Sequence, residues 1–274
     1  MILDDITEST KVRLKQKRAA VPFKNIRSDA DTMAKKISSA SCSFESALSR
    51  GRLQCANSSA NKEISFICEV KKASPSKGII VEDFPYLQIA KDYKEAGAAA
   101  ISVLTESDFF KGSPDYLKEI ANKIELPVLC KDFIIDPYQI YEAKTLGAAA
   151  VLLICTLLDD NQLRDFLDIT HSLKMSALVE THNESEVEKA LCANAKIIGV
   201  NNRDLTTFNV DLRTSLRLRK IIPNDKVFVA ESGISTAEEV KIIHDIGADA
   251  ILIGEAMMKS YDKKLYLKQL RSLL

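Results

Sequence analysis

From residue 66 onward the chain alternates between short runs of apolar residues and longer stretches in which apolar side chains return every three or four positions. The short runs are apolar at consecutive positions rather than at alternate ones. That pattern marks strands buried on both faces, as in a parallel sheet covered by helices. Eight strands are expected, near 66–71, 99–104, 127–131, 149–154, 176–180, 196–201, 226–231 and 249–254. The stretches between them read as amphipathic helices with recognisable starts. Asp136-Pro137 puts proline at a first helical position, and Ser235-Thr236-Ala237-Glu238 resembles a capping box.

The alternation contains a repeat. EAGAAAISVLTE, TLGAAAVLLICT and DIGADAILIGEA are alike, with glycines at 97, 147 and 247. LCANAKIIGVNN is a weaker copy with Asn194 in the glycine's place. Each copy reads as a helix that ends in a left-handed residue, for which Asn is the second choice, followed by a strand. Eight such units in about 210 residues fit an α/β protein of the (β/α)8 TIM barrel class. The alternative is an open doubly wound sheet. It would be expected to carry a glycine-rich fingerprint after its first strand, and GxGxxG is absent.

Residues 1–60 fall outside the period and form the expected N-terminal helical extension and linker, with the barrel at 61–274. FESALSRG reads as a short helix stopped by Gly51, and QCANSSANKE as a polar linker. The extension is either a solvated appendage or a helical cap across one end of the barrel. The cap is favoured because Ile2, Leu3, Ile6, Val21, Phe23 and Phe44 need somewhere to be buried.

Composition narrows the function. Lys plus Arg and Asp plus Glu both number 38, so no net field attracts nucleic acid or an anionic membrane. Cys42, Cys55, Cys68, Cys130, Cys155 and Cys192 form no CxxC pair, and the three histidines are too scattered for a zinc site. No segment has signal-peptide character or the roughly 18 apolar residues needed to span a bilayer. A cytoplasmic protein with reduced thiols, no metal and no membrane association is expected, as a monomer or weak homo-oligomer.

The polar residues gather where the strands end. In a (β/α)8 barrel the C-terminal strand ends face one mouth, where chemistry occurs. Strand 1 ends Glu69-Val70-Lys71, strand 3 Lys131-Asp132, strand 5 in Glu180, strand 6 Asn201-Asn202-Arg203 and strand 7 Glu231-Ser232-Gly233. Strands 2, 4 and 8 read as ending in smaller or apolar groups. Alternate residues share a face, so Glu69 with Lys71, and Asn201 with Arg203, can point into the barrel together. A lone lysine at a strand end is ordinarily there for solubility. Five polar strand ends around one mouth are too costly to bury without function, and they favour perturbed pKa values. SGIS after strand 7, Gly254 after strand 8 and the KKASPSKG loop after strand 1 suit a phosphate held by backbone N–H groups.

On these residues the chain resembles the indole-3-glycerol phosphate synthase family. EVKKASPSKG, LCKDFIIDPYQI, ALVETH, IIGVNNRDL, VAESGI and LIGEAMM look like its signatures, in the right order, and ILDDI and FESAL look like its pre-barrel helices. The resemblance covers essentially the whole chain. It implies a cofactor-free carboxy-lyase that converts 1-(2-carboxyphenylamino)-1-deoxyribulose 5-phosphate to indole-3-glycerol phosphate, carbon dioxide and water. The catalytic set it implies is Lys131, Lys71, Glu180, Glu69, Asn201 and Ser232. Lys131 would be the general acid, Glu180 the base, and Lys71 a second acid paired with Glu69. The substrate- and phosphate-binding set is Ser74, Arg203, Glu231, Gly233, Gly254 and Glu255. Some relatives carry Ser at the last position, so Glu255 is expected to turn its carboxylate outward and offer only its N–H. No fused domain of a neighbouring pathway step is expected, because the chain stops soon after the eighth unit.

His182 reads as a loop residue before a helix capped by Asn183, His244 as helical, and His171 as lying near a helix end. Other readings stay open. A sugar-phosphate isomerase would pair a Cys or Asp base with an Asp acid. An aldolase would use a Schiff-base lysine, for which Lys131 is available. A non-catalytic barrel would bind a phosphorylated ligand or a partner protein.

Overall fold

The computed structural model describes residues 2–36, 43–49 and 63–274. The consecutive apolar runs become eight parallel strands: β1 Ser65–Val70, β2 Ala100–Leu104, β3 Val128–Lys131, β4 Ala150–Ile154, β5 Ser176–Thr181, β6 Ile197–Asn201, β7 Val227–Glu231 and β8 Ala250–Ile253. Each pairs with its sequence neighbours and β1 also pairs with β8, so the sheet closes into a (β/α)8 barrel. Helices α4 Tyr86–Glu95, α5 Pro114–Lys123, α6 Pro137–Thr145, α7 Asp160–Ser172, α8 Glu184–Cys192, α9 Arg213–Leu218, α10 Ala237–Asp245, α11 Glu255–Lys259 and α12 Lys263–Leu270 follow or link the strands. No helix among the described residues is long and apolar enough to cross a membrane.

The repeat has the backbone origin its glycines suggested. Gly97, Gly147 and Gly247 take φ of 88°, 91° and 83°, and Asn194 takes 59°. Lys174 takes φ of 55° at the equivalent step between α7 and β5. It is a further copy that no Gly or Asn advertises, since an L-residue there costs about 1–2 kcal/mol. Asp136 caps α6 ahead of Pro137 as expected. The α10 capping box lies one residue later than expected. Thr236 has the extended backbone of a cap and its hydroxyl accepts from the Glu239 N–H, while Ser235 bonds the Glu239 carboxylate from outside the helix.

Strand parity sorts the side chains into two cores. Phe66, Cys68 and Val70 face outward beneath the helices. Ile67, Leu129, Leu178, Ile197, Val227 and Val229 fill the barrel interior. The N-terminal extension, α1 Ile2–Ala20, α2 Phe23–Lys36 and α3 Phe44–Leu48, serves both ends of the barrel. Phe44 and Leu48 are buried in the interior cluster. The carbonyls of Ala47 and Leu48 accept from Ser65 Oγ at the start of β1, so α3 plugs the N-terminal end. Helix α2 packs along α6 on the barrel's flank. The first turns of α1 reach the opposite mouth, where Ile2, Leu3 and Ile6 line a cavity.

Of the residues expected to need burial, Phe44 and Ile6 are buried and Phe23 is half-buried, edge-on to Tyr141. Val21 is 39% exposed. It lies in the turn between α1 and α2, where its carbonyl, not its side chain, makes the tertiary contact by accepting from the Tyr138 hydroxyl. The expected stop at Gly51, most of the linker from Gln54, the domain boundary at residue 60 and Cys42 and Cys55 lie outside the described residues.

Candidate active site

The barrel interior changes character along its axis. Four of the inward-facing rows are apolar in the middle and polar at the C-terminal end: Ile67 then Glu69, Leu129 then Lys131, Leu178 then Glu180, Val229 then Glu231. These ends open into a cavity of about 510 Å³, within the usual range for a small-molecule site. Glu69, Lys71, Ser74, Lys131, Glu180, Asn201, Arg203, Glu231, Ser232, Gly233, Gly254 and Glu255 all line it. The expected catalytic and binding residues therefore line one mouth.

The ionic groups are paired unequally. Lys71 Nζ donates to Glu69 Oε1. Burial alone would raise the Glu69 carboxyl, but Lys71 and then Lys131 hold it below its ordinary value. Lys131 Nζ lies 3.7 Å from Glu180 Oε2. Burial opposes the Lys131 ammonium, and Glu180, Glu69 and Glu231 together outweigh it and raise its pKa. Glu180, 2% exposed, is likewise opposed by burial, yet Lys131 and His182 pull it down to about 2. Glu231 is the exception. Both of its oxygens are buried without a hydrogen-bond partner among the described residues. Burial and then the neighbouring Glu180 charge push it up to about 8, against the pull of Lys131.

Backbone geometry fixes the rim. Ser232 and Gly233 take consecutive positive φ of 66° and 77°. A Cβ on Gly233 would come within 2.1 Å of Val210 Cγ1, so the turn after β7 admits no side chain there. Gly254 leads into α11 with its Cα facing the Glu69–Lys71 pair, and a Cβ there would lie 2.4 Å from Glu69 Oε1. Ser74, Pro75 and Ser76, in the short ribbon formed by Ala73–Ser74 and Gly78–Ile79, border the same space. Glu255 does not turn fully away: it stays on the cavity rim and accepts from Lys259 Nζ at 2.6 Å. Arg203 is steadied through its N–H on Asn201 Oδ1 at 3.0 Å and its Nη1 on the Phe208 carbonyl at 3.1 Å.

Residues 3–270 match the sequence family described as indole-3-glycerol phosphate synthase. The chain belongs to the indole-3-glycerol phosphate synthase family. It is 50% identical over 271 residues to the indole-3-glycerol phosphate synthase of Ruminiclostridium cellulolyticum, covering 99% of each chain. It is 49% identical over 274 residues to that of Lachnoclostridium phytofermentans, covering 100% of each. A solved 3-hexulose-6-phosphate synthase superposes with a TM-score of 0.61 at 14% identity, over 77% of this chain and 100% of that one, a likeness of fold alone. The indole-3-glycerol phosphate synthase family is a family of carboxy-lyases, and the protein is an enzyme of that class.

Several residues that shape this family member's mouth escaped the sequence reading. Strand β2 ends in the apolar Leu104 as expected, but Glu106, two residues beyond it, is buried. Its carboxylate accepts from the N–H groups of Asp108, Phe109 and Phe110 and pairs with Arg13 of α1 at 2.6 Å. Arg13 and Ser9 also bond Asp108, so α1 is latched to the loop that carries Phe110 to the cavity. Asn202 faces away from the cavity. Its amide donates to the Ser232 carbonyl at 3.1 Å and its oxygen accepts from the Ser215 N–H and hydroxyl, which holds the left-handed turn in place. Gly199 lies in the middle of β6, and a Cβ there would be 2.2 Å from Glu231 Oε1. A glycine inside a strand signals close approach, and the sequence displays it in IIGVNN.

Proposed function

We propose that the protein catalyses the indole-forming reaction itself: ring closure, decarboxylation and dehydration of 1-(2-carboxyphenylamino)-1-deoxyribulose 5-phosphate to indole-3-glycerol phosphate, carbon dioxide and water. The observation that carries this reading is the Lys131–Glu180 pair, 3.7 Å apart at the cavity, with Glu180 buried and Lys131 half-buried. An electron-rich aryl carbon attacks the ketone, and Lys131 protonates the ketone oxygen as charge builds there. Loss of carbon dioxide restores the ring, and loss of the hydroxyl as water requires a base to remove a proton. Glu180 is that base. At a pKa of about 2 it is weak in the free enzyme. Once Lys131 has given up its proton, one of the two cations beside Glu180 is gone, and its basicity rises when it is needed.

Lys71, paired with Glu69, supplies the second ammonium. Asn201 and Arg203 orient the carboxyphenyl end and sugar hydroxyls, while Glu231 and Ser232 position the substrate. The loops carrying Ser74, Gly233 and Gly254 hold the phosphate through backbone N–H groups, and Lys259 answers the charge of Glu255. Ile2, Leu3, Phe110 and Phe133 supply apolar walls for the aromatic ring.

The rival chemistries lack support. Burial pushes the Cys68 thiol up to about 12, and it faces the helices, which disfavours an isomerase thiolate. Lys131 is held protonated chiefly by Glu180 and then Glu69, which disfavours a Schiff-base nucleophile. Incubation with the carboxyphenylamino substrate while indole fluorescence is followed tests the reading. No fluorescence at substrate saturation would refute it, and a borohydride-trapped adduct would favour the aldolase.

A further inference from the structure

His182 lies outside the cavity lining, directly behind Glu180. Its Nε2 is 3.4 Å from Glu180 Oε1 and its Nδ1 is 3.1 Å from Glu186 Oε2. Glu186 is itself pinned: one oxygen accepts from the His182 backbone N–H at 2.8 Å and the other from Thr156 Oγ1 at 2.7 Å. Nδ1 is within hydrogen-bond distance of Glu186, whereas Nε2 sits at ion-pair distance from Glu180 Oε1 with no hydrogen bond among the described residues. The ring thus lies between two carboxylates that are both held below their ordinary values, and a ring nitrogen facing a carboxylate on each side is stabilised as an imidazolium. Glu180 in turn is shared: one oxygen faces His182 and the other faces Lys131.

We propose that His182 is a positioning residue, a permanent cation that holds Glu180 ionised and takes one of its oxygens, so that Lys131 is left in a loose ion pair and free to donate its proton. The role assigned to Glu180 here rests on the reaction proposed above. The other charged groups around the ring do not reverse the argument. Glu231 also faces Glu180, and Asp204 senses the His182 charge from the loop after β6. Burial works against a charged ring, and the two carboxylates outweigh it, taking His182 up to about 10. The expectation of a plain loop residue held for its place in the chain, and Asn183 does cap α8. The sequence concealed its partners, because Glu186 is one helical turn away while Thr156 belongs to another strand's loop.

Two measurements on the full-length enzyme decide the matter. The first is histidine 15N NMR. With three histidines in the chain, one ring should remain doubly protonated at about pH 8.5, well above the ordinary histidine value, and that signal should vanish in His182→Asn. If all three rings titrate below about pH 7.5, the imidazolium bridge is refuted, whatever the enzyme turns over. The second is kinetic. His182→Asn keeps a hydrogen-bond donor and loses the charge. Its kcat should fall at least about 10-fold with KM within about threefold, and its acid limb should move up by about 1–3 pH units, the shift expected when an opposite charge within a few ångströms is lost. Glu186→Gln, which leaves the ring in place, should move both quantities in the same direction by less. It serves as the test if His182→Asn fails to fold. A wild-type kcat and acid limb in the folded variant would overturn the proposal. Inactivity of the wild type toward the carboxyphenylamino substrate would instead remove the proposed reaction, and the NMR result would still judge the bridge.

Discussion

Gly199→Ala is the sharpest perturbation this site offers, because it removes no functional group. An added Cβ would lie 2.2 Å from Glu231 Oε1 and 3.1 Å from Leu178 Cδ1. Ordinary contact begins at about 3.4 Å, so the Glu231 carboxylate must withdraw by roughly 1.2 Å, whereas Leu178 needs to give only a few tenths. A misplacement of about 1 Å in a catalytic site costs on the order of 10²-fold in rate. The accompanying overpacking should cost about 1–3 kcal/mol of stability, a fall in Tm of a few degrees for a domain of this size.

The assay is steady-state indole fluorescence, with circular dichroism to establish that the variant is folded. The expected result is a folded protein whose kcat/KM is lower by roughly 10²-fold. A double-mutant cycle isolates the cause. If Gly199→Ala acts by displacing Glu231, then adding it to Glu231→Ala should cost nothing further, because no carboxylate remains to be displaced. Full additivity of the two losses would show that Gly199 matters for some other reason. Wild-type turnover in the single variant would show that Glu231 needs no fixed position.

Lys131→Ala should lower kcat by at least about 10²-fold, the scale of a positioned general acid, with modest change in substrate binding; near-normal turnover would end its assignment. Glu231→Gln tests the buried, unpaired carboxyl through stability. The Glu231 pKa is raised from 4.5 to about 8, so its contribution is fully present below about pH 4.5 and is lost as pH climbs through 8. Urea unfolding of wild type should therefore weaken relative to the glutamine variant across that window, by on the order of a few kcal/mol, and parallel curves would refute the raised value. Phe44→Ala, at the barrel end away from the cavity, should cost about 3–5 kcal/mol of stability while leaving kcat unchanged, and a large loss of kcat in the folded variant would contradict the plug role of α3.

The strand-end residues were readable because they obey a local rule. Once Ile67, Leu129, Leu178 and Val229 are taken as inward, a period of two carries Glu69, Lys131, Glu180 and Glu231 to the same side, and closure of the sheet does the rest. What the chain hid were the couplings that closure creates. Arg13 meets Glu106 across 93 positions, and Asn202 meets Ser215 and Ser232 through contacts with no local signature. Lys174 adopts a backbone state that Gly or Asn would have announced. Gly199 was visible as a glycine within a strand, but its meaning depended on which neighbour's side chain would lie across it. Val21 failed for the opposite reason: its apolar side chain suggested burial, and its backbone carbonyl was the group the fold used.

The balance of charge at the mouth ties these observations to the proposed chemistry. Lys71 answers Glu69, and Lys131 with an imidazolium at His182 answers Glu180 and Glu186. Glu231, with no donor on either oxygen among the described residues and a pKa raised to about 8, contributes little charge at neutral pH. The chain as a whole has no net charge, and the cavity lining adds Arg203 and Lys259 against Asp132 and Glu255, so the mouth is close to balanced while Glu231 stays protonated, and burial keeps its charges from being screened as surface charges would be. Ionising Glu231 would tip that balance negative and set another carboxylate beside Glu180, which is why the room made by Gly199, with no cation in contact among the described residues, suits a protonated acid better than an anion.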